Sequence, residues 1–87
     1  MIVSNDWMTI GEAVADRITE LCMQRGGTLN KLSTICGITQ STLNNIMSGV
    51  SRNPTISTIK KVCDGLEIRI AEFFDTPVFH NLEQEIK

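Results

Sequence analysis

Between Leu21 and Cys63 the chain contains no aspartate and no glutamate, although it carries ten elsewhere. That stretch holds Arg25, Lys31, Arg52, Lys60 and Lys61, a net of +5. Residues 1–20 set four acids against Arg17 (net −3), and residues 64–87 set six acids against Arg69 and Lys87 (net −4). The overall charge of −2 therefore hides a cationic middle between two acidic flanks. Such a middle suits an anionic partner, with the flanking acids keeping the chain soluble; with so few charges, chance patterning competes.

Other absences narrow the chemistry. His80 is the single histidine, which argues against zinc sites built on two histidines and against most catalytic triads. No carboxylates pair at an informative spacing, and there is no glycine-rich phosphate loop. The expectation is a protein that is not an enzyme and uses no metal and no cofactor. No run of 18 apolar residues occurs, nor a leader layout, a low-complexity tract or an internal repeat. A soluble cytoplasmic protein without a membrane partner is expected. Cys22, Cys36 and Cys63 are odd in number and lack metal-type spacing. Each falls on the apolar side of a predicted helix, so all three read as small buried hydrophobes, ahead of a disulfide or a thiol switch.

At 87 residues and 41% apolar, the chain is expected to form one domain. A domain of this size buries only about 60–65% of its unfolded surface, so its core is small. No separate ligand-binding domain is expected, and regulation is expected from a partner, from protein concentration or from degradation.

The stretch Thr28 to Val50 organises the rest. It predicts two short helices joined at Gly37, with Thr28 and Thr39 as N-caps and Gly37 as a left-handed stop. Leu29, Leu32 and Ile35, with Cys36, are expected to face the core from the first helix. In the second, Leu43, Ile46 and Met47 share one face at about 100° per residue. Ser41, Asn44, Asn45 and Ser48 collect opposite, and Gln40 stands at the exposed first turn. These side chains are short and uncharged, and each both donates and accepts hydrogen bonds. Gln and Asn can pair bidentately with adenine in a major groove, and Ser can serve as donor or acceptor. For the polar face alone, a neutral solvated surface helix is the competing reading.

Leu29 to Gly49 resembles the helix-turn-helix of the lambda-repressor-like family (the Cro/XRE type). The likeness rests on the small Ser33, the turn Gly37, Ile38-Thr39-Gln40-Ser41-Thr42, the core Leu43 and Ile46, and Ser48-Gly49. It continues through Arg52-Asn53-Pro54-Thr55 to Ala71-Glu72-Phe73-Phe74, covering roughly Ile10 to Asp75. The resemblance implies an all-α, compact five-helix domain that binds operator DNA, usually as a dimer, through helix 3. It implies base contacts from Gln40, Ser41, Asn44 and Asn45. Backbone contacts are expected from Thr28, Asn30, Lys31, Thr39, Thr42, Ser48, Arg52 and Asn53. One departure is Leu29, where many relatives place a phosphate-touching Gln; Thr28, Asn30 and Lys31 are expected to substitute.

Around this pair, Thr9-Ile10-Gly11-Glu12 predicts a capping box for a first helix running to about Gln24 or Arg25. Ile10, Val14, Ile18 and Leu21, with Ala13 and Cys22, form its stripe, and Trp7 is expected to cover the core edge. Pro54 and Thr55 introduce a fourth helix with Ile59, Val62, Cys63 and Leu66 inward. Gly65 could end that helix locally, but the family register ends it at Leu66 and strains Glu67 by about 1–2 kcal/mol. A short fifth helix, about Ile70 to Phe74, starts without a capping side chain because Arg69 stands there.

The DNA-binding domain is expected over residues 1–76, with 77–87 as a tail. Val78, Leu82 and Ile86 recur at i, i+4 and i+8, with Phe79 nearby. That stripe suits packing on its own domain or a subunit contact in which Phe73 and Phe74 join. The functional expectation is a sequence-specific transcriptional regulator, a repressor rather than an activator. It would bind double-stranded DNA as a homodimer on an inverted repeat. The alternative is a protein-interaction module of the same fold, such as an antitoxin subunit.

Overall fold

Threonine hydroxyls set where the first four helices begin. The computed structural model describes residues 8–50 and 53–82, and Trp7, Arg52 and Ile86 lie outside the described residues. Its helices are α1 (Ile10–Gln24), α2 (Leu29–Cys36), α3 (Gln40–Ser48), α4 (Ile56–Leu66), α5 (Ile70–Phe74) and α6 (Pro77–His80). Thr9, Thr28, Thr39 and Thr55 are extended N-caps, and each Oγ1 accepts the N–H three residues on, at 3.0–3.2 Å. Glu12 closes the capping box by accepting the Thr9 N–H at 2.9 Å. Gly37 (φ 68°) stops α2, and Gly49 (φ 84°) stops α3. Glu67 ends α4 at φ 59°, ψ 42°, the family register.

The core gathers Val14, Ile18, Leu21 and Cys22 of α1, Leu32 and Cys36 of α2, Leu43 and Ile46 of α3, Ile59, Val62, Cys63 and Leu66 of α4, and Phe73 of α5. The main packing is α2 on α4, with α1 on α3. Gly65 explains how closely α2 and α4 meet. A Cβ there would stand 2.4 Å from Cys36 Sγ and 2.9 Å from Cys36 Cα. The glycine therefore admits a neighbouring helix and does not terminate its own.

Ile35 departs from its expected core position and is 58% exposed. It precedes Cys36 by one residue, about 100° around the helix, and the α3 and α4 contacts fall on the Leu32–Ser33–Cys36 side. Phe73 corrects a second expectation, that of a subunit contact. It is wholly buried, so its side chain reaches no partner surface. It anchors an aromatic group instead, 4.9 Å from Phe74 and 6.0 Å from Phe79 between ring centroids. Phe74 and Phe79 meet edge-on at 4.8 Å. The tail thus adds a single-turn helix to the five expected, and α6 packs against α1.

Arg17 carries an unforeseen role. Its guanidinium is buried, with Nε donating to the Phe73 carbonyl at 2.8 Å and a terminal nitrogen donating to the Glu72 carbonyl at 3.0 Å. Both carbonyls lie in the last turn of α5, where the Glu72 carbonyl also accepts the Asp75 N–H at 3.3 Å. Glu20 steadies the other terminal nitrogen. The three cysteines are free and buried. Burial pushes the Cys36 thiol up to about 11, with Cys22 and Cys63 adding to the shift. Among the described residues, no helix is long and apolar enough to cross a membrane.

Candidate nucleic-acid interface

The α2–α3 corner is held from within, which frees its outer surface. Leu43 and Ile46 are 1% and 2% exposed and tie α3 to the core. Ser33 is buried on α2, where its small side chain lets the pair approach. Its hydroxyl donates to the Asn30 carbonyl at 2.8 Å, and its own carbonyl accepts from Ile38 N at 3.1 Å. The turn is therefore closed by backbone bonds and one left-handed glycine.

On the outward side, Gln40, Ser41, Thr42, Asn44, Asn45 and Ser48 are all exposed. No charge interrupts that face. Thr28, Asn30 and Lys31 are exposed at the start of α2, and Asn53 is exposed beyond α3. Arg52, expected to hold the backbone, lies outside the described residues.

Gln40 and Asn30 are joined: Gln40 Nε2 donates to Asn30 Oδ1 across the turn. This contact spans ten positions in sequence, so helical periodicity gives no hint of it. An amide nitrogen carries two hydrogens. Gln40 therefore keeps one N–H and its Oε1 for another partner while Asn30 restricts its rotamer.

Thr39 and Thr42 divide the expected backbone roles. Thr39 Oγ1 accepts the Thr42 N–H at 3.0 Å and donates to Thr42 Oγ1 at 2.9 Å. Its only hydroxyl proton is committed to the cap. The Thr42 hydroxyl, being the acceptor in that pair, keeps its proton to donate. Ser48 Oγ makes a long bond to the Asn45 carbonyl at 3.4 Å.

The electrostatics are uneven. Lys60 pairs with Asp64 one turn on, which offsets its charge. Among the described residues, Arg25, Lys31 and Lys61 have no carboxylate within ion-pair distance. Lys31 is exposed in the first turn of α2, the helix whose Asn30 meets Gln40.

Residues 18–73 match the helix-turn-helix family. The chain belongs to that family, in its lambda-repressor-like (Cro/XRE) branch. Over 60 residues, 68% of this chain, it is 38% identical to the HTH-type transcriptional regulator SlrR of Bacillus subtilis (strain 168). The match spans 40% of that relative's length. The fold also resembles that in the crystal structure of the prophage Lp1 protein 11. The TM-score is 0.75 and the identity 44%, covering 82% of this chain and 93% of the other. For this helix-turn-helix chain, α2 and α3 are the paired helices and α3 is the second of them.

Proposed function

We propose that this chain is a sequence-specific DNA-binding transcriptional regulator, a repressor that reads an inverted-repeat operator as a homodimer. The observation that carries the reading is the uncharged amide and hydroxyl face of α3, presented on a rigid helix-turn-helix corner. In a major groove, Gln40 would accept from adenine N6 through Oε1 and donate to N7 through its remaining N–H, with Asn30 fixing its plane. Ser41, Asn44 and Asn45 supply the neighbouring donors and acceptors. Lys31, the Thr42 hydroxyl, Thr28 and Asn53 hold phosphates, and so does Arg52 in the acid-free middle. Thr39 acts mainly by exposing first-turn N–H groups.

A single α3 offers few base contacts. Two of them placed about 34 Å apart would read two half-sites. Phe74, Val78, Phe79 and Leu82 are partly buried, and they remain candidates for the subunit contact; Ile86 lies outside the described residues.

Selection of bound duplexes from a random pool supplies the operator, and an inverted repeat is expected. Gln40→Ala or Asn45→Ala should then cost about 1–3 kcal/mol on the operator and little on scrambled DNA. Lys31→Ala should weaken both. It should also flatten the slope of log affinity against log salt by about 0.9 for each phosphate no longer neutralised, doubled in a dimer. An unchanged operator-to-scrambled ratio in the α3 variants would remove α3 as the reader. The partner-binding module would then take its place.

A further inference from the structure

A groove of about 490 Å³ opens beside the helix-turn-helix, between the end of α1, the outer side of α2 and the end of α4. Its volume lies within the roughly 300–1,000 Å³ typical of small-molecule sites. Cys22, Leu32, Leu66 and Ile35 line its apolar part. Ile35 is 58% exposed, although an isoleucine gains by burial. The charges are of one sign: Arg25 and Lys31 line the groove, and no acidic residue does. Among the described residues neither cation has an ion-pair partner. Gly26 and Gly27 leave the α1–α2 connection open, since a Cβ on either would meet nothing within 4 Å.

We propose that this groove binds a small amphipathic anion, an aliphatic or aromatic body bearing one carboxylate or sulfonate. The apolar body lies chiefly against the exposed Ile35, over the narrow accessible edges of Leu32 and Leu66, and the anionic head meets Arg25 and Lys31. Charge complementarity selects this occupant: an uncharged apolar ligand leaves both cations unanswered, and a cation is repelled. The occupant also bears on DNA. Thr28 and Lys31 line the groove and are also proposed to hold phosphates, and Asn30, which fixes Gln40, lines it too. A bound anion neutralises Lys31 and stands where a phosphate approaches, so ligand and operator bind in opposition. This second step rests on the DNA-binding reading; the first does not.

The test uses the full chain without DNA, titrated with 8-anilinonaphthalene-1-sulfonate by fluorescence and with decanoate and decanol by displacement. Saturable binding at one site per chain is expected, with decanoate displacing the dye and decanol about tenfold weaker. Ile35→Asp and Arg25→Glu should each weaken binding about tenfold, and Ile56→Asp, at an exposed residue outside the groove, should not. Circular dichroism checks that each variant folds, and Arg25→Glu carries the result if Ile35→Asp does not. Unsaturable dye binding, or equal affinity in all variants, overturns the site. A sedimentation shift of ligand-free Ile35→Asp would make a second copy the occupant and also overturns it. In a final arm decanoate should weaken operator binding. Unchanged operator affinity with decanoate bound overturns the opposition. Failure to bind any DNA removes the DNA-binding reading and leaves the titration standing.

Discussion

Single residues hold much of what distinguishes this chain. Gly65 sits where alanine would ordinarily favour the helix, yet its missing Cβ leaves room for the Cys36 backbone. Gly65→Ala should lower unfolding stability by about 1–3 kcal/mol through forced overpacking, measurable in urea. Glu67 works in the other direction. It is the one described non-glycine residue at positive φ. Glu67→Gly should raise stability by about 0.5–1 kcal/mol, as relief of the left-handed strain outweighs the added chain entropy. The thiols give a pH dependence. Cys36 ionises in the folded chain only near 11, whereas an exposed thiol does so near 8.5. Between those values the unfolded state binds fewer protons, so stability is intact below about pH 8.5 and falls as pH rises towards 11. Denaturation midpoints from pH 7 to 10.5 should show a steeper decline in the wild type than in Cys36→Ala. The left-handed Glu67 was legible only through the family register and the i+3 spacing of Leu66 from Cys63, because the local signal alone would stop the helix at Gly65. The role of Gly65 was not, because it depends on a residue of another helix.

At the scale of elements, the caps of α1 to α4 follow from a threonine followed three residues later by an available N–H, and each is readable without tertiary information. The start of α5 shows the limit of that rule. Arg69 contributes no side-chain cap, and its N–H reaches Glu72 only at 3.5 Å. The helix is secured at its far end instead, where Arg17 takes two of its carbonyls. Arg17→Met should cost about 2–3 kcal/mol by leaving those carbonyls without a charged donor. Arg17→Lys should recover only part of that, because an ammonium lacks the planar fork. Hydrogen exchange in α5 is the direct readout, and protection there should fall more than in α3. This clamp was invisible in the sequence. Arg17 reads as a lone base among acids, and its acceptors are 55 and 56 residues away. Ile35 leaves the core for a related reason. Periodicity marks an apolar arc, but the neighbouring helices decide how wide an arc they cover.

For the whole molecule, the tail and the domain share one aromatic group. Phe79 touches both Phe74 and the buried Phe73. Ending the chain at Thr76 should therefore lower stability by about 1–3 kcal/mol and the Tm by several degrees, with or without any subunit contact. Thermal melts of the two lengths at several concentrations separate the effects. A decrease independent of concentration belongs to intramolecular packing, and a part that grows with concentration belongs to association. The overall fold was legible because Leu43, Ile46, Gly37 and the inward face of α4 all point to the same packing. The subunit contact was less so, since an apolar stripe on a tail serves either its own core or another chain.

Helix α3 is attached to the core chiefly by Leu43 and Ile46, while the six side chains of its outward face leave the core untouched. On the proposed reading, in which α3 selects the DNA sequence, the helix is an interchangeable address label on a fixed carrier. Substitutions among polar residues at positions 41, 44, 45 and 48 can drift without loss of folding. The preferred operator would then change in the course of descent, or in a randomised library, far more readily than the fold that carries it.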